Sequence, residues 1–110
     1  MKKRLIENKI YGLLGLARRA GQISFGTESA KETIEKNKAK LVIVAEDCSD
    51  RTKKNFEMAC TNKNIPFRIY GTIDKISKCI GQENKAVIVI KNDNFAKEML
   101  NRIDGGEVIG

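Results

Sequence analysis

The segment Phe25-Gly26-Thr27-Glu28-Ser29-Ala30-Lys31-Glu32 holds the densest set of groups able to receive an anion. A short apolar run stops at a glycine, and small polar residues open a helical pattern. The first N–H groups of a helix have no intrahelical partner, and the helix dipole adds partial positive charge there. A phosphate fits such a terminus. Gly26 would let a nucleic-acid backbone approach closely, and the hydroxyls of Thr27 and Ser29 can donate to it. The same residues also suit an ordinary strand-to-helix turn: Ser29 with Glu32 matches a capping box, and Thr27 is an equally good N-cap. Lys31, Lys36, Lys38 and Lys40 follow, balanced by Glu28, Glu32 and Glu35, so part of this helix is a charged, solvated face. A second polar loop, Gly81-Gln82-Glu83-Asn84-Lys85, precedes an apolar run. Its amides could meet base edges or simply turn the chain.

Other chemistries lack their residues. There is no histidine, so the usual general base, metal ligand and triad partner is missing. Cys48, Cys60 and Cys79 are odd in number and irregularly spaced, which suits reduced, mostly buried thiols rather than a disulfide framework or a zinc site. No glycine pattern spells a phosphate loop or a dinucleotide fingerprint. Gly12-Leu-Leu-Gly15 comes nearest and sits inside a helical pattern with no Lys-Ser/Thr behind it. Glu46 and Asp47 stand together at a strand end, where α/β sites often lie, but capping and loop solvation account for them. The chain reads as a non-enzyme that needs no metal or cofactor.

The charge points toward a polyanion. Net charge is +7, and residues 1–21 hold six basic residues against Glu7 alone. Such an excess attracts nucleic acid through counterion release and steering. Charge alone does not separate RNA from DNA or from a solubilising surface. The aromatic residues Tyr11, Phe25, Phe56, Phe67, Tyr70 and Phe95 mostly fall on apolar faces. That argues against a reader of single strands, which needs exposed rings, and favours structured RNA recognised by shape and phosphate.

The elements that must position these groups follow from periodicity. A helix is expected over 3–19, ended by Gly21 as its C′ residue. Gly12 and Gly15 share a face of it, so another backbone is expected to pack closely there. A strand over 22–25 leads through Gly26-Thr27 into a helix ending near Asn37. The continuous apolar runs at 40–45 and 86–90 suit strands buried on both faces at the centre of a sheet. Between and after them come a helix from Ser49 or Asp50 to about Lys63, a break at Asn64-Ile65-Pro66, a strand at 67–70, and helices at 72–80 and 93–103. Residues 104–110 read as a loose tail. The alternation gives one α/β domain over 1–110, with helices on both faces of a four-stranded sheet. No apolar stretch approaches a membrane span, and no export signal follows the basic N-terminus, so a cytoplasmic, monomeric protein is expected.

The run Ala39-Lys40-Leu41-Val42-Ile43-Val44-Ala45-Glu46-Asp47, taken with Gly26, resembles the kink-turn RNA-binding ribosomal proteins of the "L seven Ae" family. Leu13-Leu14-Gly15-Leu16-Ala17-Arg18-Arg19-Ala20-Gly21 and Ser49-x-x-Thr52-Lys53-Lys54 resemble its bacterial YlxQ-like branch. The resemblance covers roughly residues 5–103. It implies a three-layer α-β-α sandwich with a mixed sheet, and a partner that is structured RNA, kink-turn-like or ribosomal. It also implies a grip through the N-terminus of the second helix and the loop before the last strand. By position, that grip comprises Gly26, Thr27, Glu28, Ser29, Lys31, Glu32 and Lys36 with Gln82, Asn84 and Lys85. The family's usual Gly-x-Asn-Glu-x-x-Lys keeps only its glycine here; Glu28, Ser29 and Glu32 occupy the other three positions. Acids on that face motivate an alternative, a ribosome- or translation-associated protein-interaction module with a weakened RNA face.

Overall fold

A computed structural model describes the backbone of residues 2–105 and the side chains of residues 9–105. The elements are α1 (Lys2–Arg19), β1 (Ile23–Phe25), α2 (Thr27–Glu35), β2 (Leu41–Val44), α3 (Asp50–Lys63), β3 (Phe67–Ile69), α4 (Ile73–Cys79), β4 (Val87–Ile90) and α5 (Asp93–Gly105). The sheet order is β1-β4-β2-β3. β4 runs antiparallel to both β1 and β2, and β2 pairs parallel with β3 through the α3 crossover. The sheet is therefore mixed.

The apolar runs become the two central strands because neither has a polar face to offer water. Every residue of β2 and β4 is fully buried. Alternation then sorts them by size. Leu41, Ile43, Ile88 and Ile90 meet Leu14 and Ala17 of α1, Ile76 of α4, and Ala96 and Met99 of α5. Val42, Val44, Val87 and Val89 meet Ala30 and Ile34 of α2 with Phe56 and Cys60 of α3. The longer side chains fill the three-helix layer and the valines fill the two-helix layer, giving the α-β-α sandwich.

Helix ends follow local chemistry. Ser49 rather than Asp50 caps α3, its Oγ accepting from the Thr52 N–H at 3.2 Å. Asn64 closes that helix in the left-handed region, at φ 56°. Thr72 caps α4 by accepting from the Lys75 N–H. Burial raises the Cys60 and Cys79 thiols to about 11, which keeps both protonated and unreactive at neutral pH.

Three expectations need correction. The close approach expected along Gly12 and Gly15 exists only at Gly15, where an added Cβ would lie 3.2 Å from the Cys79 carbonyl oxygen; Gly12 faces open space. The first strand starts at Ile23, not Gln22. Asp104 and Gly105 are not tail but the last turn of α5. Their order has a cause: Arg68 on β3 grips Asp104 with two hydrogen bonds, Nε to Oδ1 at 2.8 Å and Nη2 to Oδ2 at 2.7 Å. The remaining tail residues, 106–110, lie outside those described.

The Arg68 fork holds the Asp104 carboxyl below the usual carboxylate range. A lowered folded pKa stabilises above the unfolded value of about 4 and fades as pH falls through the folded one. Both side chains are more than a third exposed, so the pair contributes at most about 1 kcal/mol. Asp104→Asn should therefore lower the urea midpoint slightly at pH 7, and the gap from wild type should close on acidification below pH 4. A gap unchanged by acid would exclude the ion pair as its source.

Candidate nucleic-acid interface

The chain leaves β1 at Gly26, whose φ of 90° and ψ of 157° suit glycine and few other residues. Its N–H donates to the Val87 carbonyl at 2.9 Å, and its carbonyl accepts the first helical bond from Ala30 at 3.0 Å. Gly26 is thus both the last rung beside β4 and the N-cap of α2. No side chain caps this helix. Neither Thr27 nor the Ser29–Glu32 box acts as expected. A side-chain cap must sit in the position before the helix, and the positive-φ exit from β1 gives that position to glycine. Thr27, Glu28 and Ser29 form the exposed first turn, their N–H groups unused within the helix.

A buried hydroxyl relay fixes this tip to the sheet. Thr33, on the inner face of α2, donates from Oγ1 to the Ser29 carbonyl at 2.8 Å. Ser24 Oγ of β1 lies 2.6 Å from the same Oγ1. With the Thr33 proton on Ser29, Ser24 is the donor in that contact.

The loop between α4 and β4 is held by Ser77, which is 3 % exposed. Its Oγ accepts from the Lys85 N–H at 2.8 Å and donates to the Lys85 carbonyl at 3.3 Å. The Gln82 N–H donates to the Ser77 carbonyl at 2.8 Å. Asn84 turns the loop at φ 55° with its side chain exposed. The result places the Lys85 ammonium beside the helix tip: a Cβ on Gly26 would lie 3.9 Å from Lys85 Nζ. Gly26 is required by the positive-φ turn, and a Cβ there would meet the lysine only at ordinary contact distance.

Two residues join the site that the sequence reading left out of it. Phe25, read as core, has two cations over its ring: Arg18 Cζ is 5.2 Å and Lys85 Nζ 5.8 Å from the centroid. Arg18, in the last turn of α1, makes no ion pair among the described residues, and its Nε is shielded from solvent without a hydrogen-bond partner. A cation over an aromatic ring is attracted by its quadrupole and held in place. Six residues, the Gly21 turn among them, separate Arg18 from Phe25, so no sequence periodicity connects them.

The structure brings Gly26, Thr27, Glu28, Ser29 and Lys85 together. Gln82 and Asn84 lie in the loop leading to Lys85. Lys31 and Glu32 lie along the exposed side of α2. Lys36 is set apart: it is the C-cap of α2, about 15 Å along the axis from Gly26, and its ammonium is bound by Glu32 at 3.0 Å. Glu46 and Asp47 do structural work. Asp47 Oδ1 accepts from the Ile73 N–H at 2.9 Å at the start of α4, and the Glu46 carbonyl accepts from Lys53 Nζ at 2.6 Å. Among the described residues no group of three or more acids and cysteines could hold a metal. The arrangement offers amide and hydroxyl donors flanked by two cations, suited to hydrogen-bonding and charge-pairing with phosphate oxygens.

Comparison with known proteins places the chain. The sequence model of the ribosomal protein L7Ae/L30e/S12e/Gadd45 family matches residues 8–100. RNA-binding protein YlxQ of Bacillus subtilis (strain 168) is 29% identical over 94 residues, spanning 86% of this chain and 94% of that protein. RNA-binding protein YlxQ of Enterococcus faecium is 35% identical over 98 residues, 88% of this chain and 93% of that one. Among solved structures, a Bacillus halodurans C protein of unknown function superposes with a TM-score of 0.84 at 31% identity, covering 87% of this chain and 97% of its own. The Giardia lamblia 15.5kD RNA binding protein shares the fold, with a TM-score of 0.76 at 19% identity, over 92% of this chain and 89% of its own. The chain belongs to the ribosomal protein L7Ae/L30e/S12e/Gadd45 family, in its YlxQ-like branch.

Proposed function

We propose that this chain is a non-enzymatic binder of structured RNA, kink-turn-like or ribosomal, and that it acts as a cytoplasmic monomer. It grips the RNA backbone with the first turn of α2 and with the loop before β4. One observation carries the reading: the α2 tip has no side-chain cap, and Lys85 and Arg18 stand over Phe25 beside it. Amides and dipole would receive a phosphate at 27–29, and the two cations would neutralise its neighbours. The acids that depart from the family pattern are partly accounted for. Glu32 is neutralised by Lys36. Glu28 lies in the first turn, where an acid favours the helix by its dipole and a bound phosphate would compete with it. The relatives named as RNA-binding proteins support the same partner class.

Fluorescence anisotropy with a kink-turn duplex and a straight duplex, each across a salt series, tests the proposal. Tighter binding to the kink-turn is expected. Equal affinities would remove the kink-turn claim, and no binding to either would leave the protein-interaction alternative. Gly26→Asp should weaken binding, but its strained φ threatens the turn as well. Thr27→Glu isolates the electrostatics, because an acid in the first turn favours the helix while repelling phosphate. It should bind weakly and melt no lower than wild type. Lys85→Gln should weaken all sequences alike and reduce the salt slope by about 1.

Ser77→Ala tests the support of the loop. It leaves the Lys85 N–H and carbonyl without their partner, a loss of about 1–3 kcal/mol in chemical denaturation. Weaker RNA binding at temperatures where the variant stays folded should accompany it, since Lys85 is then free to leave Gly26. A variant as stable as wild type would show that water replaces the hydroxyl.

A further inference from the structure

We propose that a cleft of about 370 Å³ at the opposite end of the sheet is a second seat for phosphate groups, those of an RNA strand, used together with the α2 tip. Gly21, Gln22, Asn37, Lys38, Lys40 and Lys91 line it. It takes its ligand class from the RNA reading but shares no residue with the α2 tip.

The fold builds this cleft from four element ends. α1 finishes in a turn at Gly21, φ 70°, where the Gln22 N–H reaches back to the Ala17 carbonyl at 2.9 Å. α2 finishes in the same kind of turn at Asn37, φ 59°, where the Lys38 N–H reaches the Thr33 carbonyl at 3.1 Å. Beside them β2 begins and β4 ends. The Lys40 N–H donates to the Ile90 carbonyl at 2.8 Å and the Lys91 N–H to the Gln22 carbonyl at 2.8 Å. The backbone of the cleft is thus fixed while three lysine side chains project from it.

Lysines near helix C-termini ordinarily serve the last carbonyls. Here that task falls to another residue. Lys63 of α3 donates to the Glu35 carbonyl at 3.3 Å and to Asn37 Oδ1 at 2.9 Å. Lys38 and Lys91 form no ion pair among the described residues. Lys40 has only a loose contact with Asp93, 3.9 Å apart, with both side chains exposed. Two helix ends contribute about half a negative charge each, and Asp93 one more. Three ammonium groups leave the cleft positive. It is an open cleft rather than an enclosed cavity, and the residues that line it are a glycine, two amides and three lysines. Phosphate is the ligand chemistry that this combination fits. Lys85 and Lys91 stand at the two ends of β4, six residues or about 20 Å apart, so the two seats would hold separate stretches of one RNA or two RNA segments.

Amide NMR of the full chain tests this, with a single-stranded oligouridylate and with inorganic tripolyphosphate as probes. In wild type, and in a Thr27→Glu, Lys85→Gln background, the amides of Gly21, Gln22, Asn37 and Lys91 should shift and saturate with oligouridylate. A Lys38→Gln, Lys91→Gln variant should weaken that step about tenfold. It should reduce its salt slope by about 1.4, at roughly 0.7 per phosphate of a single strand, with the shifts at 26–29 intact. Response to tripolyphosphate alone would keep the phosphate seat and assign it to a free polyphosphate. Cleft amides that stay still with both probes, or move only when the α2 tip is intact, would overturn the proposal. Still amides at 26–29 with a responding cleft would uphold the second seat, while the first interface stands or falls by the kink-turn titration.

Discussion

Strand β4 lies between β1 and β2 and pairs antiparallel with both, and the positions of Lys85 and Lys91 at its two ends depend on that pairing. Three residue pairs join β1 to β4, from Ile23↔Ile90 to Phe25↔Ile88. The backbone continues the ladder at both ends, through the Gly26 N–H to Val87 and the Lys91 N–H to Gln22. Both central strands are out of water, so each backbone donor must find a partner and the ladder is complete. A slip of one residue would turn the isoleucines of β4 toward the two-helix layer and its valines toward the three-helix layer. It would also carry Lys85 away from Gly26. Core packing and site geometry are fixed by one register.

Within this frame α2 is handled differently from its neighbours. Ser49 and Thr72 cap α3 and α4 with side-chain oxygens, whereas α2 has glycine at the same position. Glycine at an N-cap costs only a few tenths of a kcal/mol relative to a capping side chain. The small loss leaves the first-turn amides open to solvent. The tip is then stabilised from behind, by Thr33 and Ser24 in the layer beneath, rather than from the front by a cap. Glu28 supplies the negative charge that the dipole favours in the first turn.

How much of this could be read from sequence depended on whether partners lie close along the chain. The runs 41–44 and 87–90 announced themselves because burial on both faces demands apolar residues at every position. Gly26 and Lys85 were also legible, one as a turn and the other as a cation after a polar loop, although their contact was not. The Arg18–Phe25–Lys85 stack and the Ser77 clamp were hidden, since each joins residues from different elements through side-chain direction. Ser77 sits next to Ile76 on a short helix, and nothing local marks its hydroxyl as the group that holds Lys85. Gly12 misled for the converse reason: its spacing from Gly15 matched a helix face, but only Gly15 meets the end of α4.

The charge excess gains its meaning from where acids are paired. On the flanks, Lys36 meets Glu32, Arg68 meets Asp104, Lys78 meets Asp74 and Arg102 meets Glu98. Exposed pairs of this kind contribute little to stability, typically under about 1 kcal/mol each. Their larger consequence is on the field. Each cancels a positive charge, three on helices or a helix cap and one on β3, so the surplus of the sequence is not spread evenly over the surface. Arg18 and Lys85 at one end of the strands, and Lys38 and Lys91 at the other, keep theirs. Both sheet ends thus carry cations that no carboxylate cancels, which adds to the attraction of the chain for a polyanion; one end presents helix amides where the other presents a cleft.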